Sequence, residues 1–245
     1  MKIHLLGFAY PYQRMLSSID RFKYQASQMS IFDTINVYSD DAWDFAPELH
    51  DHTEYMMSGV PRVGHCLWKF FLLEKLMEEI DENDQVFYVD VGCQFNIAGI
   101  RRMHQYVDIV NEYGSLGFRL NGDMPEKYWT KRDSFDRVGL DEKHWDTNAL
   151  MATCFFLKNT PFNRERVLEL KNMCIERDYY YIDDRNDEGY VPNPLLKRHS
   201  REQSLLSCVM KKYNMHIIDD ETYWAPNWNE DGKDYPIWAT RSIPK

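Results

Sequence analysis

The sequence predicts an α/β protein with a mainly parallel central sheet flanked by helices, and three observations lead there. Short apolar runs alternate along the chain with amphipathic stretches of helical length, the order of βαβ units. Several of those runs are apolar at nearly every position, which suits strands covered on both faces. Hydrophobic residues make up 44% of the 245 and aromatic ones 15%, enough for a sizeable core in one domain.

The elements follow in order. Lys2 to Ala9 reads as a buried first strand that runs into the loop Tyr10-Pro11. Ser18 to Met29 reads as a helix and Ile31 to Tyr38 as the second strand. From Ser39 to Arg62 the chain turns polar and irregular, punctuated by Pro47 and Pro61. Between Cys66 and Ile80, apolar residues at 67, 70, 73, 77 and 80 mark one face of a helix. Gln85 to Asp90 is the next strand, Ile97 to Tyr113 the next helix, and Gly114 to Asp146 a loop-rich region. Ala149 to Leu157 reads as a strong strand and Asn163 to Asp178 as the helix behind it. The run Tyr179 to Gly189 is polar and reads as exposed. A last helix starts near Ser200 and continues through Tyr213, with a short strand at His216 to Ile218. The tail, Thr222 to Lys245, is rich in Trp and Pro and reads as an ordered surface loop.

Charge and composition exclude several classes. With 29 Lys+Arg against 39 Asp+Glu the chain carries a formal −10, which opposes nucleic acid and anionic membranes as partners. Its longest apolar stretches, such as Cys154 to Leu157, fall far below the ~18–20 residues of a membrane-spanning helix, so no integral membrane segment is expected. The five cysteines, Cys66, Cys93, Cys154, Cys174 and Cys208, stand singly, without CxxC or regular spacing. The apolar patch at Met1 to Phe8 is too short for a signal peptide, and the two observations together point to a reducing, cytoplasmic setting.

The signatures GxGxxG, GxxxxGK[ST], HExxH and GxSxG are absent. Four segments remain as candidates for chemistry. Asp90 ends the apolar run Val86-Phe87-Tyr88-Val89, where open α/β sheets bind ligands. Its carboxylate suits Mg²⁺ or Mn²⁺ carrying a diphosphate, and suits equally the cap of a following helix. Gly92 beside it permits close backbone approach by a ligand. His199-Ser200-Arg201-Glu202-Gln203 sits in the first turn of a helix, as a catalytic cluster or a plain cap. Trp68-Lys69 and Trp129-Thr130-Lys131-Arg132-Asp133 pair a ring with cations, fit for stacking and phosphate or hydroxyl recognition, or for a core Trp with a snorkelling Lys.

In order along the chain, Gly64-His65-Cys66-Leu67-Trp68-Lys69, Tyr88-Val89-Asp90-Val91-Gly92-Cys93, Trp129-Thr130-Lys131-Arg132-Asp133, His199-Ser200-Arg201-Glu202-Gln203-Ser204 and Ala239-Thr240-Arg241 resemble a family of GT-A-type glycosyltransferases found in bacteria and large DNA viruses. The likeness spans nearly the whole chain. It implies one Rossmann-like GT-A domain over residues 1–245, with about 1–115 holding the nucleotide sugar and 116–245 the acceptor half and tail. The partners implied are a nucleotide-sugar donor, UDP-linked, and an oligosaccharide or glycan acceptor. Gly7, Phe8, Ala9 and Tyr10 would meet the base and ribose. Asp90 stands at the first Asp of the family's D-x-D and would hold Mn²⁺ or Mg²⁺, but the third position is Gly92, so one carboxylate ligand is missing. Lys69 and Arg241 would neutralise the departing diphosphate. Glu202, where the family has Asp, would take the acceptor proton with help from His199, and inversion is the favoured outcome. Trp129, Lys131 and Asp133 would shape the sugar sites. The alternatives are a non-catalytic carbohydrate- or nucleotide-binding module and a sugar nucleotidyltransferase.

Overall fold

The computed structural model describes residues 1–10, 13–186, 189, 192–222, 225 and 227–240, with residues 13–15 described by backbone alone. The chain opens with strand β1 (Ile3–Phe8), helix α1 (Gln13–Gln28) and β2 (Thr34–Tyr38). The irregular stretch that follows forms short helices: α2 (Ala42–Phe45), a 3-10 turn at Pro47–His52, α3 (Thr53–Met57) and α4 (Pro61–His65). Then come α5 (Trp68–Glu79), β3 (Gln85–Val89), β4 (Gln94–Phe95), α6 (Ile100–Tyr113) and β5 (Ser115–Arg119). Short α7 (Glu126–Trp129) and α8 (Arg132–Val138) lead to β6 (Cys154–Lys158) and α9 (Pro161–Tyr179). The chain closes with α10 (Glu202–Lys212), β7 (Ile217–Asp219), α11 (Trp228–Asp231) and β8 (Ile237–Trp238).

Among the described residues the main sheet has six strands in the order β2-β1-β3-β6-β5-β7, and only β6 runs against the rest. The mainly parallel expectation therefore holds. Its near-continuous apolar runs have a simple cause, because successive side chains enter different cores. Leu6, Phe8, Val86, Tyr88, Phe155 and Leu157 pack toward α5, α9 and α10, while Leu5, Phe87, Val89, Cys154 and Phe156 pack toward α1 and α6. Where β3 meets β6, Phe87 stacks on its partner Phe156 at 4.0 Å between centroids. No helix among the described residues is long and apolar enough to cross a membrane.

Four readings change. The tail is not all surface loop, since β8 pairs with β4 and Ile237 and Ala239 are buried. Residues 115–119 lie in the region read as loop and form β5, hidden by Gly117; a Cβ there would come within 2.7 Å of Met210 Cε, so glycine lets α10 approach the sheet. The run from Tyr179 is not all exposed: Tyr180, Tyr181 and Ile182 are buried, and the polar atoms of the segment are tied to Lys131 and Asp133. The strand read as Ala149 to Leu157 is regular only from Cys154. Before it, the carbonyls of Ala152 and Thr153 bond to the Lys69 side chain and the Asp90 backbone instead.

Candidate active site

The carboxyl ends of β1 and β3, the start of β6 and the first turns of α5 and α10 meet around a cleft of about 520 Å³. Its walls carry Phe8, Tyr10, Arg62, Trp68, Lys69, Asp90, Gly92, Thr153 and Glu202. This is the edge at which open α/β sheets bind ligands. Six of the residues singled out in the sequence are brought together here: Phe8, Tyr10, Lys69, Asp90, Gly92 and Glu202.

Asp90 follows β3 in a tight turn. Its N–H donates to Thr153 O at 2.8 Å, and its own carbonyl accepts from Cys93 N at 2.9 Å. Arg21 on α1 clamps this turn, donating to Val91 O (2.8 Å) and Cys93 O (2.7 Å). The buried Tyr88 hydroxyl donates to Asp90 Oδ1 at 2.6 Å, while the Asp90 side chain stays 43% exposed on the cleft side.

Lys69 lies in the first turn of α5 and is only 2% exposed. Its Nζ donates to Ala152 O at 2.8 Å and to Glu202 Oε1 at 3.2 Å, stands 3.9 Å from Asp90 Oδ1, and sits 4.8 Å from the centre of the Tyr88 ring. Burial disfavours the ammonium, but Asp90 and Glu202 together outweigh it and hold the Lys69 pKa above the ordinary lysine range. Glu202 opens α10, where the helix dipole favours a negative charge. Its residue is 1% exposed, and Oε2 has no hydrogen-bond partner among the described residues. The Trp68 indole N–H is likewise buried without a partner. Orphaned polar atoms cost free energy when buried, and these two, among others elsewhere in the protein, belong to residues that line the cleft, where a ligand could satisfy them.

Sequence reasoning missed Arg62. Its guanidinium forms no ion pair among the described residues; desolvation lowers its pKa, and the nearby Glu202, Cys66 and Asp90 more than restore it. Arg62 begins five consecutive residues in the left-handed region, with φ of 56°, 55°, 62°, 52° and 63° through Cys66. Four of the five are not glycine, at a cost of roughly 1–2 kcal/mol each. Tyr55 bonds His65 Nδ1 at 2.8 Å and helps hold the run. No sequence signal marks such a run, since only Gly64 favours it.

The other predicted residues lie off the cleft wall. Both nitrogens of His199 are committed to the backbone, Nε2 to Tyr181 O at 2.8 Å and Nδ1 to Lys131 N at 3.3 Å, and burial pushes its pKa down to about 3. The ring is therefore neutral. Lys131 directs Nζ at Tyr180 O, Asp183 Oδ1 and Arg185 O, and Asp133 accepts the Tyr180 hydroxyl. The Trp129 carbonyl accepts from Ser200 N (2.7 Å) and Ser204 Oγ (2.8 Å). These contacts brace the start of α10, and so the carboxylate of Glu202. Gly7 packs against Val91 and Phe22, and Ala9 lies in the core beside α1. Arg241 lies outside the described residues.

A divalent ion finds a poor donor set in this cleft. Gly92 supplies no carboxylate, Asp90 Oδ1 is committed to Tyr88, and the Lys69 ammonium already stands between Asp90 and Glu202. No group of three or more His, Cys, Asp or Glu suited to a metal exists among the described residues.

No family model matches the sequence, and neither does any curated protein. Solved structures do match the fold. A glycosyltransferase involved in the glycosylation of the major capsid of PBCV-1 aligns over 97% of this chain and 92% of its own, with TM-score 0.56 and 8% identity. Mouse xyloside xylosyltransferase 1 aligns over the full length of both chains at TM-score 0.49 and 9% identity. The galactosyltransferase LgtC, solved with donor and acceptor sugar analogs, aligns over 88% of this chain and 72% of its own at TM-score 0.49 and 10% identity. At 8% identity the first likeness establishes the fold, which is the GT-A arrangement.

Proposed function

We propose that this chain is a glycosyltransferase, moving a sugar from a UDP-linked donor to a hydroxyl of a carbohydrate acceptor with inversion at the anomeric carbon. The observation that carries the reading is the Glu202 carboxylate, buried at the cleft with Oε1 held by Lys69 and Oε2 without a partner among the described residues. One oxygen is anchored and the other, buried beside the cleft, is left without a partner to take the proton of an acceptor hydroxyl that reaches it, the part a general base plays. The acceptor O–H proton passes to Glu202 Oε2 as its oxygen bonds the anomeric carbon. The bond from that carbon to the donor's phosphate oxygen breaks, and the nucleoside diphosphate leaves with the electron pair.

Cations must meet the charge on that leaving group, the largest electrostatic demand of the step. Lys69 and Arg62 border the same cleft, and Arg241 is a third candidate. Phe8, Tyr10 and Trp68 offer flat faces for the base and sugar, and the exposed side of Asp90 accepts hydroxyl hydrogen bonds. Trp129, Lys131, Asp133 and His199 act on the acceptor side indirectly, by bracing the start of α10 that carries Glu202. Incubating the protein with a panel of UDP- and GDP-sugars and carbohydrate acceptors, with and without Mn²⁺, tests the reading by mass spectrometry of products. Turnover of at least one donor is expected; absence of both turnover and calorimetric binding for every donor overturns it.

A further inference from the structure

We propose that the cleft carries out transfer without a divalent ion, with the Lys69 ammonium as its resident cation and Arg62 as the cation that reaches the diphosphate. This inference rests on the glycosyl-transfer reading above and concerns how the same site manages charge.

The space between the Asp90 and Glu202 carboxylates is already taken by the Lys69 ammonium. An ion bridging Asp90 to a bound diphosphate would sit beside Lys69 Nζ, which is 3.9 Å from Asp90 Oδ1 and 3.2 Å from Glu202 Oε1. Lys69 cannot withdraw, because a third contact fixes it to Ala152 O at 2.8 Å and the Tyr88 ring lies under it. A dication and a buried ammonium would then repel each other at close range. Asp90 alone, with one oxygen already taken by Tyr88 and Gly92 two residues on, has too few ligands to overcome that repulsion.

Lys69 instead supplies what the metal would supply, with a timing advantage. Before reaction the Asp90 and Glu202 carboxylates share its charge. As the acceptor proton moves to Glu202 Oε2, one of the two is neutralised, and more of the ammonium's field falls on the diphosphate gaining the electron pair from the broken bond. Arg62 lies on the cleft side of the strained 62–66 run, with no ion pair among the described residues to hold it back.

Chelation decides the matter without any variant. The protein is stripped with EDTA, and UDP and inorganic pyrophosphate are titrated into it by calorimetry with and without added Mn²⁺, alongside transfer from whichever donor turns over. Binding and turnover are expected to persist in EDTA. Replacing Lys69 with Met (Lys69→Met) should cut turnover by about 100-fold or more, comparable to losing a preorganised donor, and added Mn²⁺ should not restore it; Arg62→Ala should weaken pyrophosphate binding. Turnover that vanishes in EDTA and returns with Mn²⁺ overturns the inference while leaving the glycosyltransferase reading intact. Failure of every donor and of UDP under both conditions removes that reading, and the inference with it.

Discussion

Helix α10 carries a buried Lys–Glu pair at each end, and the two differ most in how fully their polar atoms are bonded. At its last turn, Lys211 Nζ bonds Glu126 Oε1 (2.8 Å), Thr147 Oγ1 (2.9 Å) and Asn148 O (2.7 Å). Glu126 is complete as well, since Oε1 also accepts from Ser207 and Oε2 accepts from Thr130 at 3.0 Å. At its first turn, Glu202 meets Lys69 but leaves Oε2 orphaned. Both pairs are almost wholly buried, and Lys211, like Lys69 and Glu202, borders a cavity of comparable size. Burial, charge and cavity size therefore fail to separate structure from function here. Polar satisfaction does separate them, because a fully bonded pair has nothing left with which to meet a substrate.

The largest expected effects test that contrast directly. Lys211→Met strands the Glu126 charge and should cost about 3–5 kcal/mol of stability, read from urea unfolding by tryptophan fluorescence. Glu202→Gln keeps an oxygen for Lys69 and Asp90 stays beside the ammonium, so the unfolding midpoint should fall by less than in Lys211→Met while transfer falls by about 10²–10⁴-fold. Equal losses of stability in both variants, with transfer intact in Glu202→Gln, would break the distinction.

A parallel contrast holds for two buried histidines near the cleft. His199 is fully bonded, whereas His65 Nε2 has no partner among the described residues. Burial lowers both, His199 to about 3 and His65 to about 4, against an ordinary 6.5. Between those values the unfolded chain binds protons that the native state refuses, so stability rises with pH across the window. It is complete above pH 6.5 and is lost as pH falls toward 4 and then 3. His65 alone accounts for about 3 kcal/mol. Urea midpoints measured from pH 7 to 4 should fall accordingly, and His65→Gln should flatten the upper part of the curve; a flat wild-type profile would contradict the assignment.

How much of this was legible beforehand follows a physical line. Strands β1, β3 and β6 and helix α5 announced themselves because their cores demand apolar side chains at fixed periods. That Asp90, Lys69 and Glu202 would meet at one cleft was legible because each lies next to such an element, at a strand end or in a helix's first turn. Strand β5 was not, since close packing by Met210 required Gly117 in its middle. Lys131 read as a sugar-site residue and His199 as a catalytic one because their residue types suit those roles, but in the fold both are held chiefly by backbone groups, which no side-chain pattern records. Arg62 escaped for a related reason: its place depends on a left-handed run that its neighbours' identities disfavour.

The smallest expected effect sharpens the comparison at a single bond. Tyr88→Phe deletes only the hydroxyl that donates to Asp90 Oδ1 at 2.6 Å, leaving the ring stacked on Phe155 at 5.2 Å and beneath Lys69. Asp90 is 43% exposed, so water can replace the lost donor and the stability cost should be about 1 kcal/mol. Thr130→Val removes a bond of similar kind from Glu126, where water has no access, and should cost about 2 kcal/mol or more. Transfer should divide the opposite way, with Tyr88→Phe raising the donor KM several-fold by loosening Asp90 and Thr130→Val leaving it unchanged. If the two variants instead lose stability equally and neither shifts KM, then Asp90 is held by its turn alone, and the Tyr88 hydroxyl belongs to the fold rather than to the site.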